Sequence, residues 1–200
     1  MTHHSPGIGS PAPSFDLECV EFSESSPHPR PGRAALDAYR GRWLVVVFYP
    51  RDFSMVCPTE LIGLSQKAEQ FRSQGCDLLG ISCDSIESHV QWLSTPQDLG
   101  GVRGLEFPLA SDPTGEAARA FGVFLEFQKV ALRGLFIIDP NGILQYQAVH
   151  NLSVGRRSED ILRIFRALQS GGLCAASWTS PAHSIDPSSS SHLVIGSEPM

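Results

Sequence analysis

Apolar residues along this chain follow two rhythms. Residues 43–49 (WLVVVFY) form an almost unbroken, valine-rich run, the pattern of a strand buried on both faces. Pro50 closes it, because proline cannot donate to a sheet ladder. Residues 77–82 (DLLGIS) repeat the pattern, residues 107–110 give a shorter run, and residues 14–20 read as a short strand. Residues 132–138 and 143–149 alternate about DPNG, a hairpin turn signal.

The second rhythm is helical. Over residues 60–71, Leu61, Leu64, Ala68 and Phe71 share one face, and Gly75 stops the helix. Ile86, Val90 and Leu93 line another, ended or kinked by Pro96. Residues 113–121 predict a short helix. Ser158 caps the last one, with Glu159 and Asp160 in its first turn, Ile161, Phe165 and Leu168 on its apolar face, and Gly171 and Gly172 at its end. Residues 1–13, 23–33 and 97–106 read as entry segment and loops. Strands alternating with helices early and a hairpin late predict a layered α/β domain with a mixed sheet. No internal repeat is present. Beyond Trp178 serine and proline dominate, which predicts a mostly disordered tail. The expected division is a domain over 1–170 and a C-terminal segment over 171–200.

Composition narrows the function classes. With 200 residues at 42% hydrophobic and a net charge of −6, one full core is expected and there is no electrostatic case for nucleic acid. Only two lysines occur and the arginines are scattered, so no polybasic membrane patch is expected. MTHHSPGIGS has no apolar core of a signal peptide, and no apolar run approaches the ~20 residues of a membrane span. The expectation is a soluble, cytoplasmic protein. Five widely spaced cysteines, Cys19, Cys57, Cys76, Cys83 and Cys174, do not suggest a disulfide framework. Without C-x-x-C or a cysteine–histidine cluster, no zinc site is expected.

Cys57 stands apart from the other four. It follows the turn after the 43–49 strand, and Pro58 marks the first turn of a helix. Free backbone N–H groups and the positive end of the helix dipole converge there and stabilise a thiolate, the reactive form of the thiol. Ser54 lies three residues earlier, where one helical turn would bring its hydroxyl beside the sulfur; a serine there also serves as an ordinary helix cap. Arg133 interrupts the apolar run LRGLFII. Either it points to solvent from an edge strand, or it faces a buried anion, since a buried guanidinium needs a partner. Glu60 and Arg156 are either a supporting ion-pair network around that pocket or a plain surface pair.

FYPRDFSMVCPTE, ALRGLFIIDPNG and GGLCAASW together resemble the typical two-cysteine peroxiredoxins, and the bacterial alkyl hydroperoxide reductase C branch most. The resemblance spans roughly residues 8–178. It implies a thioredoxin-like fold, with Cys57 as the peroxide-attacking cysteine, Ser54 bonding the peroxide, Pro50 shielding the thiolate from water, and Arg133 beside it. It also implies that Cys174 of a partner subunit condenses with the Cys57 sulfenic acid to a disulfide. A thioredoxin-like or flavoprotein disulfide reductase then resets the pair. A homodimer is implied, of a kind that can assemble into a ring of dimers, with no cofactor or metal. Cys19, Cys76 and Cys83 are read as structural. The chain departs from the family pattern at Gly172 and Ala175, where an acidic residue and a proline are usual, at Ser54, where threonine is commoner, and at Arg51 and Met55. GGVR replaces a GGLG loop that, with a Tyr-Phe-bearing C-terminal helix, makes relatives sensitive to over-oxidation. Two other classes compete: a thioredoxin-type disulfide reductase, against which positions 54 and 60 hold no second cysteine, and an oligomeric holdase, which would still suppress aggregation as Cys57→Ser.

Overall fold

The computed structural model describes residues 6–21, 29–179 and 184–185. The chain divides into two compact units, Met1–Asp160 and Ile161–Met200.

The first unit is built on a seven-stranded mixed sheet. Its strands are β1 (Asp16–Glu21), β2 (Arg30–Ala35), β3 (Trp43–Phe48), β4 (Cys76–Ser82), β5 (Leu109–Ser111), β8 (Arg133–Ile138) and β9 (Leu144–His150), in the order β2-β1-β5-β4-β3-β8-β9. A separate two-stranded hairpin joins β6 (Phe124–Leu125) to β7 (Val130–Ala131). β3, β4 and β5 run parallel, and β8 and β9 antiparallel to their neighbours. Five of the six residues of β3 are buried, as its unbroken apolar run requires. Phe48, Phe121 and Phe136 meet at ring distances of 4.7–5.8 Å and knit β3 and β8 to the segment after the fourth helix. The β8–β9 turn forms at DPNG: Asp139 accepts from the N–H groups of Asn141 and Ile143, both at 2.9 Å. Gly142 holds φ +76°, and a side chain there would strike the Arg40 guanidinium.

Helices of this unit are α1 (Cys57–Ser65), α2 (Ala68–Arg72), α3 (Ile86–Ser94) and α4 (Glu116–Ala120). The single helix expected over 60–71 is two, broken at Lys67 (φ −112°, ψ 3°). Ser65, at the break, accepts the backbone N–H of Glu106 at 2.9 Å, so the chain turns where this neighbour is met. On α3 the apolar face differs from the expected one. Val90 is exposed, while His89, Trp92 and Leu93 are buried, because the polar atoms of His89 and Trp92 find partners inside: Trp92 Nε1 donates to Gly100 O at 2.9 Å. Residues 30–33, expected as loop, belong to β2, which pairs with β1.

In the second unit, α5 (Ser158–Ser170) runs on from the first. Its Ile161 and Phe165 are buried and Leu168 is half-buried. Gly171 ends it at φ +65°. β10 (Leu173–Cys174) pairs antiparallel with β11 (Ser184–Ile185), two ordered residues in a tail read from sequence as mostly disordered. The rest of the tail beyond Thr179 lies outside the described residues.

Candidate active site

The site grows from the end of β3. Pro50 is buried directly after the strand, a loop carries Arg51 to Val56, and α1 opens at Cys57 with Pro58 in its first turn. No side chain caps α1. Ser54 lies in the loop and not on a helical turn with Cys57, as the three-residue spacing had suggested, because the helix begins only at Cys57; Phe53 before it adopts φ +54°. Ser54 Oγ is buried and has no hydrogen-bond partner among the described residues.

Cys57 is fully buried. Arg133, on β8, is 3% exposed, so it faces inward and not toward solvent. Its Nη1 donates to Cys57 Sγ at 3.3 Å and to Glu60 Oε2 at 2.5 Å, and its Nε donates to Leu152 O at 2.8 Å. Glu60 Oε1 accepts both the backbone N–H of Arg156 at 2.8 Å and its Nε at 2.7 Å, and Arg156 Nη1 donates to Gly134 O at 2.6 Å. Glu60 and Arg156 thus form a buried network; they are not a surface pair. One carboxylate stands between two guanidiniums, which leaves positive charge facing the sulfur. Pro50, Ser54, Cys57, Glu60, Arg133 and Arg156 all lie in the first unit.

Cys174 is in the second unit, half-buried, with Sγ 3.5 Å from Ser170 Oγ and from Gly172 O. All five cysteines are free thiols. Burial, followed by nearby carboxylates, pushes Cys19 up to about 11 and Cys83 up to about 12 and moves Cys76 in the same direction. These three are poor nucleophiles at neutral pH.

A second polar cluster, missed in the sequence, adjoins the loop. Asp52 is buried and accepts from Tyr49 OH at 2.9 Å, from Ser88 Oγ at 2.7 Å and from His89 Nδ1 at 2.8 Å. The signal available was SHVQW within α3, where a histidine and a tryptophan three apart share one face.

A sulfur buried this deeply beside a fixed guanidinium suits attack on a small electrophile whose departing oxygen takes up negative charge. With the mixed sheet beneath, this defines the class: thiol peroxidases of thioredoxin-like fold.

Comparison with known proteins agrees. The AhpC/TSA family model matches residues 8–147. A Clostridium pasteurianum protein named as a peroxiredoxin in a rubredoxin operon is 44% identical over 176 residues, 86% of this chain and 94% of its own. Mouse mitochondrial thioredoxin-dependent peroxide reductase is 41% identical over 192 residues, 92% of this chain and 71% of its own. Among solved structures, reduced Plasmodium vivax 2-Cys peroxiredoxin superposes with a TM-score of 0.79 at 36% identity, covering 86% of this chain and 89% of that one. Enterococcus faecalis AhpC superposes at 0.72 with 28% identity, covering 81% and 92%. The chain belongs to the AhpC/TSA family, as a two-cysteine peroxiredoxin of the bacterial type, and its activity is the reduction of peroxides by a thiol.

Proposed function

We propose that Cys57 is the peroxide-attacking residue and Cys174 of a partner subunit its resolving cysteine. The carrying observation is the Arg133 guanidinium donating to Cys57 Sγ, itself held by Glu60. The Cys57 thiolate attacks one peroxide oxygen. An S–O bond forms, the O–O bond breaks, and the departing oxygen leaves as water or an alcohol after taking a proton. Arg133 and the first turn of α1 offset the charge on sulfur and on the departing oxygen. Ser54, whose hydroxyl is buried without a partner, bonds the peroxide, and Pro50 keeps water from the thiolate. The sulfenic acid is then attacked by the Cys174 thiolate, an S–S bond forms and water leaves.

A thioredoxin-like or flavoprotein disulfide reductase supplies the two electrons that return both thiols. Thioredoxin dependence is supported by the mouse relative's name. The protein acts as a homodimer in the cytoplasm, whose reducing poise suits a protein that must return its thiols after each turnover. Peroxide consumption with thioredoxin and its reductase, followed on non-reducing gels, tests the reading. Turnover with a dimer band that reduction removes is expected; undiminished turnover by Cys57→Ser overturns it.

A further inference from the structure

The cluster beneath the catalytic loop does not touch Cys57, yet it fixes the residues that lead to it. Three donors from two elements converge on the Asp52 carboxylate: Tyr49 at the end of β3, and Ser88 and His89 on α3. The backbone N–H of Asp52 donates to Asp84 Oδ2 at 2.8 Å, and that same oxygen accepts from Ser82 Oγ at 2.8 Å. His89 is wholly buried, and its far nitrogen lies 3.3 Å from Ala110 O on β5. Asp52 is thus held by both backbone and side chain, from β3, β4 and α3, while the histidine that holds it is itself braced on β5.

The next residue shows what this hold accomplishes. Phe53 occupies the left-handed region at φ +54°, a conformation that a bulky side chain adopts only when its surroundings impose it. Its ring rests 6.1 Å from that of Trp92, one turn along α3 from His89. Ser54 follows, with its hydroxyl buried and unpartnered. One face of α3 therefore holds Asp52 and supports the half-exposed Phe53 ring, and the next residue presents the free hydroxyl.

We propose that His89, acting through Asp52, is a positioning residue for peroxide reduction: the pair holds the 50–56 loop in the strained path that aims Ser54 Oγ at the peroxide. This rests on the reading of Ser54 as the peroxide-binding hydroxyl. Peroxide must be oriented by Ser54, whereas an alkylating agent needs only the sulfur. The two reactions at Cys57 therefore separate positioning from general damage.

The test measures second-order rate constants for hydrogen peroxide and for iodoacetamide at Cys57 in wild type, Ser54→Ala, His89→Ala and the double variant. Misplacing a reacting group by about an ångström costs up to ~100-fold. His89→Ala is expected to slow peroxide attack by about tenfold to a hundredfold with alkylation unchanged. The double variant is expected to be no slower than Ser54→Ala, because both changes remove one interaction. His89→Asn, whose amide nitrogen takes the place of Nδ1 and keeps a donor toward Asp52, is expected to recover most of the rate. Additive losses, or peroxide and iodoacetamide rates falling together, overturn the positioning role while leaving Ser54 in place. Wild-type peroxide attack by Ser54→Ala removes the Ser54 reading and the proposal with it. If His89→Ala does not fold, Ser88→Ala deletes a single donor to Asp52 from a half-buried position; an unchanged ratio of the two rates then overturns the proposal.

Discussion

Arg133 Nη1 stands 3.3 Å from Cys57 Sγ and 2.5 Å from Glu60 Oε2, so a single nitrogen serves both the Cys57 sulfur and the carboxylate that anchors the guanidinium. Arg133→Ala removes both bonds. Peroxide attack is expected to slow by about a hundredfold, the usual cost of losing one charged donor at a developing anion. Some stability is lost too, although Arg156 still neutralises Glu60 in the variant. Stopped-flow peroxide kinetics beside a denaturation curve measure the two effects. Attack at the wild-type rate would show that the Arg133–sulfur contact is unused.

Cys57→Ser is expected to abolish turnover, whereas Cys76→Ser and Cys83→Ser retain it. The second and third thiols are held protonated by burial. Mass-spectrometric mapping of iodoacetamide adducts at neutral pH should find Cys57 labelled well before Cys19, Cys76 or Cys83. Labelling of Cys83 ahead of Cys57 would contradict the assignment.

The same burial sets an alkaline limit on stability. Cys19 and Cys83 ionise near 9.0 when exposed, but at about 11 and about 12 in the fold. The folded state thus holds its protons longer than the unfolded state. Below pH 9 both states are protonated and the contribution is complete; it declines as pH rises from about 9 toward 11–12. The melting temperature of reduced protein should be insensitive to these thiols below pH 9 and fall above it, less steeply in Cys19→Ala/Cys83→Ala.

Mild oxidation is expected to yield a covalent dimer through Cys57 and Cys174. Tryptic mapping of the dimer band gives the linkage. A monomeric product with a Cys57–Cys83 bond would remove Cys174 from the scheme.

Resistance to over-oxidation is the last expectation. The residue in the final glycine position of the GGVR loop is Arg103, whose Nε donates to Ser94 O at 2.9 Å at the end of α3. The segment after Trp178 contains neither tyrosine nor phenylalanine. With the loop of sensitive relatives altered at Arg103, unwinding at Cys57 should outpace a second oxidation. Mass spectrometry of Cys57 during turnover measures this; abundant sulfinic acid at low peroxide would refute it.

What could be read from sequence was what a local pattern encodes. The valine run of β3, Pro58 after Cys57 and DPNG between β8 and β9 each state their structure within a few residues. Glu60 and Arg156 could not be settled, because a charged residue looks the same in sequence whether it meets water or a buried partner 96 positions away. The face of α3 was misread for a related reason: Val90 is the more hydrophobic residue, but His89 and Trp92 have internal acceptors that make burial favourable. The loop path at Phe53 carried no signal, since no glycine marks its left-handed backbone.

Glu60 joins segments 73 and 96 residues apart along the chain. Such distant closures form late, since the entropy of long loops must be overcome before their contacts help. While the chain emerges from the ribosome, Cys57 is made long before Arg133 and Arg156 exist to surround it. During that interval it is an ordinary thiol, and on the proposed assignment its peroxide reactivity is acquired only with the completed fold. On that assignment a newly made chain would meet peroxide with an unactivated thiol, and the reaction would wait for the Glu60 closures.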